Sequence, residues 1–256
     1  RIDGEVGFNR DAGDRLVVVG TAPLSHLALL TPVEEADGDL VVDVTMTGSV
    51  ARPTLAGTVR VAGGMVRQGA FRFDDVELFA AMDEGGVEIR EASARIAGGH
   101  VRATGDVALQ PAAPDRYRFD LHAQGVDVAQ LTAPRESGPA LSTVVDADMR
   151  VVADQLALDA VRGDGALTRV QVSVDGKTLG LERPVALAVR SGTLTHAPLR
   201  LAGSAGGVTL DASVAYVGGQ TQVSVGLDGD VDLVVANPML GETVALAGLA
   251  SVSGRI

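Results

Sequence analysis

The chain has 256 residues, 33 acidic against 21 basic for a formal net charge of −12, and it is 46% hydrophobic but only 3% aromatic. This much apolar surface excludes a disordered chain, and without a basic patch and stacking aromatics a nucleic-acid binder is excluded too. An aromatic-lined small-molecule pocket fits poorly, and with no Cys there can be no disulfide framework, thiolate zinc site or cysteine nucleophile.

In chain order, the longest apolar runs are Leu16–Val19 and Leu27–Leu30. Both fall far short of the roughly 20 residues that a membrane-spanning helix needs. A short helical turn is expected over 25–30, with Ser25 as its cap. From residue 40 the pattern alternates: Leu40, Val42, Val44 and Met46 fall on one face with polar residues mostly between them. The same alternation runs through 58–61, 86–90, 116–121, 170–175, 208–211 and 222–228. Successive side chains of a strand point to opposite faces, so these segments predict strands with one apolar and one solvated side. Val, 38 residues in all, suits a pleated surface because its branched side chain is stiff at χ1. Further helical turns are expected over 127–131 and near 237–240.

Turn dipeptides punctuate the strands. They are Asp37-Gly38, Gly63-Gly64, Gly85-Gly86, Gly98-Gly99, Asp175-Gly176, Gly206-Gly207, Gly218-Gly219 and Asp228-Gly229. Such pairs supply the positive φ that tight hairpins require. The expectation is a long antiparallel meander.

Three segment pairs share one spacing. Val42–Met46 resembles Val145–Met149 at an offset of 103, Arg95–Gly98 resembles Arg200–Gly203 at 105, and Gly125–Val128 resembles Asp230–Leu233 at 105. This predicts a repeat of about 104 residues, roughly 22–125 and 126–230, with a third copy starting near 231. No Pro- or Ser-rich linker separates the copies, so 1–256 is read as one continuous segment. The chain opens on Arg1, and the expectation is a piece of a longer protein.

A one-sided meander must hide its apolar face by closing as a barrel, stacking as a sandwich, or curling into a trough. Repeats grow in one direction, and Val, Leu and Ala without large aromatics make a smooth, shallow wall. The predicted fold is therefore all-β: an elongated antiparallel meander curled into a trough with an aliphatic interior.

The stretch from Gly48 through Arg52-Pro53-Thr54-Leu55-Ala56-Gly57 to Thr58-Val59-Arg60-Val61-Ala62-Gly63-Gly64-Met65-Val66 resembles the recurring glycine-and-valine element of TamB-like proteins, in the AsmA-like superfamily. So do Phe73–Leu78, Val87–Ile89 and Gly98–Leu109, and a fragment of the element closes the chain from Leu246 to Arg255. The resemblance covers most of the chain, best from about 37 to 130. It implies a U-shaped β-groove in the periplasm of diderm bacteria, anchored in the inner membrane upstream of this segment. It further implies phospholipid movement between membranes, support of outer-membrane biogenesis and protein assembly, and a TamA-like outer-membrane assembly barrel as partner, engaged through parts outside this chain.

On this reading the groove is lined by Val42, Val44, Met46, Val59, Val61, Val87, Ile89, Val101, Val107, Phe119, Leu121, Val145, Met149, Val172, Val174, Val208, Leu210, Val223 and Val225. Each buried CH₂ gains about 0.8 kcal/mol, so an aliphatic trough offers acyl chains a path that avoids water. Uniform walls without polar hooks suit weak, repeated contacts, and the charge of −12 disfavours adhesion to anionic head groups. The alternative is that the same residues form a closed core.

No cofactor, metal or catalytic group is expected. His26, His100, His122 and His196 show no i, i+4 spacing and no acidic companions at ligand spacing, and read as exposed strand or turn positions. Asp175-Gly176-Lys177-Thr178 hints at a P-loop but lacks its upstream Gly, since Gln171 stands there, so it reads as a hairpin turn. Asp228-Gly229-Asp230 and 162–165 suggest calcium turns without the nonapeptide repetition. No Gly-x-Ser-x-Gly elbow occurs, and acidic residues alternating with apolar ones read as a solvated face. Two other classes compete. A structural or adhesive β-repeat of a secreted surface protein would favour periods of 20–30 residues. A glycan-acting enzyme would bring exposed aromatics and a carboxylate pair.

Overall fold

A computed structural model describes residues 15–29, 33–49, 52–109, 115–131, 141–155, 160–174, 176–217, 220–232 and 248–255. These residues form strands and two short 3₁₀ turns, and 17 strands belong to one antiparallel sheet. The chain divides into two compact units, Arg1–Ile96 with His100–Leu121, and Ala97–Gly99 with His122–Ile256.

The first unit holds β1 (Arg15–Pro23), a 3₁₀ turn (Leu24–Leu29), β2 (Glu35–Asp37), β3 (Asp39–Ser49), β4 (Arg52–Gln68), β5 (Phe71–Met82) and β6 (Gly86–Ile96). It also holds β7 (Gly99–Ala108) from His100 and β8 (Tyr117–Asp127) as far as Leu121. β3 lies between β1 and β4, and β4 pairs onward with β5 and β5 with β6. β2 continues the line of β3 along β4, interrupted at Gly38, whose φ is +112°.

The register carries the alternation from strand to strand, because directly opposed residues share a face. One row runs Val18, Val44, Gly57, Met82, Val87. The next runs Val42, Val59, Ala80, Ile89, and a third runs Ala22, Leu40, Val61, Leu78, Ala92. Gly57 is where side-chain volume is forbidden: a Cβ there would lie 2.0 Å from the Asp43 carbonyl oxygen, and φ is +145°. Glycine inside a strand permits this close backbone approach and a sharp local bend.

The second unit completes β8 and continues with a 3₁₀ turn (Val128–Leu131), β9 (Leu141–Ala153), β10 (Arg162–Val174), β11 (Lys177–Leu181), β12 (Val185–Arg190), β13 (Thr193–His196), β14 (Leu199–Gly203), β15 (Gly206–Val217), β16 (Gln220–Asp232) and β17 (Leu249–Arg255). β11 and β12 lie end to end along one edge of β10. β13 and β14 likewise share β15 as their common partner. Pro184 and Pro198 sit at the two interruptions, as expected of a residue with no N–H for the ladder. β15 pairs with β16 and β16 with β17.

The expected strands lie in observed strands, except that Arg116 precedes β8 and position 175 lies outside the described residues. The turn over 25–30 is found one residue earlier, and Ser25 sits inside it rather than capping it. The second turn is at Val128–Leu131, and the one near 237–240 lies outside the described residues, as does Gly218-Gly219. Three of the expected turn dipeptides are not turns, and one of them, Gly206-Gly207, opens β15 just after its turn. Gly63-Gly64 falls within β4, at register shifts that absorb extra residues, and Asp228-Gly229 falls mid-strand in β16. Both calcium-turn candidates are therefore strand segments, since 162–165 lies in β10.

Fully buried side chains are few and small, and no buried polar or charged residue occurs among the described residues. Among the described residues, six of the fifteen buried apolar residues gather in two clusters: Leu24, Ala36 and Val61 in the first unit, and Val170, Leu201 and Val208 in the second.

Candidate apolar binding face

Within the first unit the register places Val42, Val44, Met46, Val59, Val61, Val87 and Ile89 on one face. In β7, Val101 and Val107 are half-buried while His100, Arg102, Thr104 and Asp106 are exposed, so the same alternation holds. Phe119 opposes the gap left by Gly105, where a Cβ would come within 2.6 Å of its ring. Leu121 is 37% exposed.

The second unit repeats the pattern. Val145 opposes Val170, Met149 opposes Gly165, and Val172 opposes Leu179. Val208 opposes Leu201, and Leu210 lies between Leu199 and Leu227. Val174, Val223 and Val225 fall in register on this face, although the side chains of Val223 and Val225 lie outside the described set.

Depth separates these residues. Of the 17 described candidates, Val61 and Val208 are buried, Leu121 is exposed and the other 14 are half-buried. Val172 packs against the cluster of Val170, Leu201 and Val208, and strand neighbours cover part of the others. A closed core would bring them to the burial of Val61, which is 3% exposed.

The opposite face is charged. Arg90 pairs with Glu88, Arg118 with Asp106 and Arg190 with Asp164, with every side chain in these pairs more than half exposed. Such pairs contribute at most about 1 kcal/mol each. Arg90 also stacks over the Phe79 ring at 5.8 Å.

Three features were not legible from spacing. His122 does have an acidic companion: its Nδ1 lies 2.5 Å from Asp148 Oδ1, on an exposed strand pair 26 residues apart. Among the described residues no three His, Asp or Glu side chains gather as a metal cluster. Lys177 opposes Val174, placing it at the end of the apolar face, and its Nζ donates to Asp232 Oδ2 at 3.3 Å. Lys177 and Thr178 begin β11, paired with β10 in a hairpin at Gly176, whose φ is +77°. Finally, Asp127 caps the second 3₁₀ turn. It accepts from the N–H of Thr143 at 2.8 Å, from the N–H of Ala129 at 3.2 Å and from Gln130 Nε2 at 3.3 Å. Burial raises this carboxyl, but the hydrogen bonds from Thr143, Ser142, Ala129 and Gln130 together outweigh it and hold the pKa below the ordinary aspartate value.

No helix among the described residues is long and apolar enough to cross a membrane. No family model, curated protein or solved structure matches the chain.

Proposed function

We propose that this chain is a segment of a periplasmic lipid conduit, whose aliphatic face carries phospholipid acyl chains while head groups stay in water at the rim. The reading extends the TamB-like resemblance. The full-length protein would be anchored in the inner membrane, and an outer-membrane assembly barrel would be met by parts outside this chain. The U-shaped trough belongs to the same proposal.

One observation carries it: on a single face of each unit, the candidate side chains are apolar, all but Phe119 aliphatic, yet mostly half-buried rather than buried. Monomeric proteins rarely leave contiguous apolar patches beyond a few hundred Å² without a partner for them. An acyl chain laid across the strands gains about 0.8 kcal/mol per CH₂ buried. The wall groups are interchangeable methyls, so each step along it costs little, which suits movement rather than storage.

The test uses photo-crosslinking residues at Val44 and Val172 on the apolar face and at Asp43 and Ser173 on the opposite one. The protein is taken from a bacterial envelope and examined by native mass spectrometry and lipid adduct analysis. Phospholipid adducts at 44 and 172 but not at 43 and 173 are expected. Adducts at neither pair, or equally at both, defeat the conduit. A structural or adhesive β-module would give the first of those results.

A further inference from the structure

The two 3₁₀ turns occupy matching places in the chain but differ in how they are held. Leu24 opens the first directly after β1, and Val128 opens the second directly after β8, 104 residues later. Leu24 is 2% exposed and Val128 is 37% exposed. Leu24 presses on the apolar face itself. It clusters with Val61 and Ala36, and Val33, Leu40, Val66, Val76 and Leu78 pack around them. Gly64 leaves it room, since a Cβ there would stand 3.1 Å from Leu24 Cδ2 and 3.0 Å from Val61 Cγ1. One backbone bond, from the Leu24 N–H to the Gly38 carbonyl at 2.8 Å, fixes the entry of the turn. The second turn has no buried residue and is held instead by the Asp127 carboxylate, through the N–H groups of Ala129 and Thr143.

We propose that the Leu24 turn is a latch over the apolar face of the first unit. Seated, it covers Val61 between the half-buried Leu40 and Leu78 and leaves the row through Val44, Met82 and Val87 open. Unseated, as its counterpart at Val128 is, it would admit a second acyl chain. The latch therefore sets how much lipid the first unit takes, and this rests on the lipid-conduit reading above. Its seat is apolar and, among the described residues, its entry is held by the Leu24–Gly38 backbone bond, so it can lift without breaking a strand pairing, as expected of locally opening segments.

The absence of Cys makes the test direct, because one introduced thiol reports alone. Val61→Cys probes the covered row and Val87→Cys the open one, each with Leu24 intact and with Leu24→Ala. Seated, the latch should slow alkylation of the thiol at 61 by about tenfold relative to 87, and Leu24→Ala should remove most of that difference. With phosphatidylglycerol vesicles bearing a photoactivatable acyl chain, label at 87 is expected in both proteins and label at 61 only with Leu24→Ala. Should Leu24→Ala lose its β signal in circular dichroism, Leu24→Val supplies the same comparison. Alkylation at 61 that ignores Leu24 overturns the latch. So does acyl label at 87 in both proteins with none at 61. No label at either position in either protein overturns the lipid path itself, while the alkylation ratio still decides whether the turn lifts.

Discussion

Placing a carboxylate on the apolar face distinguishes an open wall from a closed core. Val44 is half-buried and faces Val18 and Gly57 across its strand neighbours. Val61, two rows away on the same face, is 3% exposed beneath Leu24. Fully burying a Val side chain gains roughly 1.5–3 kcal/mol, so removing the half-buried Val44 side chain costs about 1 kcal/mol. A carboxylate at 44 can still reach water past the glycine opposite, so little is added for desolvation. At Val61 the whole burial term is lost and an uncompensated charge enters the cluster, raising the cost to about 4 kcal/mol or more. Val44→Asp should therefore be folded and Val61→Asp severely destabilised, a difference of about 3 kcal/mol. Urea unfolding measures it. The chain has no Trp and two Tyr, so in a Tyr216→Phe background Tyr117 reports on the first unit alone. The Arg116 guanidinium lies 5.4 Å from the Tyr117 ring, so the fluorophore starts in a defined environment. Equal losses in the two variants would refute the open face. Val44→Asp should also lose phospholipid adducts at neighbouring positions while keeping its β signal.

Gly57→Ala should cost at least about 2 kcal/mol in the same urea assay, because its Cβ would meet the Asp43 carbonyl at 2.0 Å with φ at +145°. A loss under about 0.5 kcal/mol would contradict the close approach. Ala97 sits at φ +48° before Gly98 in the β6–β7 turn, a strained place for a residue with a Cβ. Ala97→Gly should therefore be neutral or stabilising by up to about 1 kcal/mol, read from the melting temperature. Asp127 has a folded pKa below its ordinary value, so its contribution is present above about pH 4 and is lost as pH falls through the lowered folded value. Asp127→Asn should be less stable than the parent at neutral pH, and the gap should close on acidification below about pH 4. A gap that does not change with pH would discard the carboxylate cap.

Alternation made the strands legible. Val42, Val44 and Met46 read as one face before any partner strand is known, because the pleat has a period of two whatever lies beside it. The hairpin at Gly176 was legible for a similar local reason, since a positive φ belongs to the turn alone. Gly63-Gly64 and Asp228-Gly229 misled because a dipeptide ending in glycine looks the same in a turn and at a close inter-strand approach. Only the partner strand tells these apart: a Cβ at Gly229 would lie 2.3 Å from the Gly207 carbonyl. The ion pair of Lys177 with Asp232 was hidden in the same way by 55 residues of separation, and that of His122 with Asp148 by 26.

Side-chain alternation and glycine placement are local and survive any choice of neighbour, so they alone dictate an all-β antiparallel meander with one aliphatic face. Tertiary structure alone decided which part of that face is covered. Leu24 and Val128 each open a 3₁₀ turn, yet one is buried against Val61 over the space left by Gly64 and the other is exposed beside the Asp127 cap. Burial depends on which atoms converge from distant strands, and no periodicity in the chain encodes it.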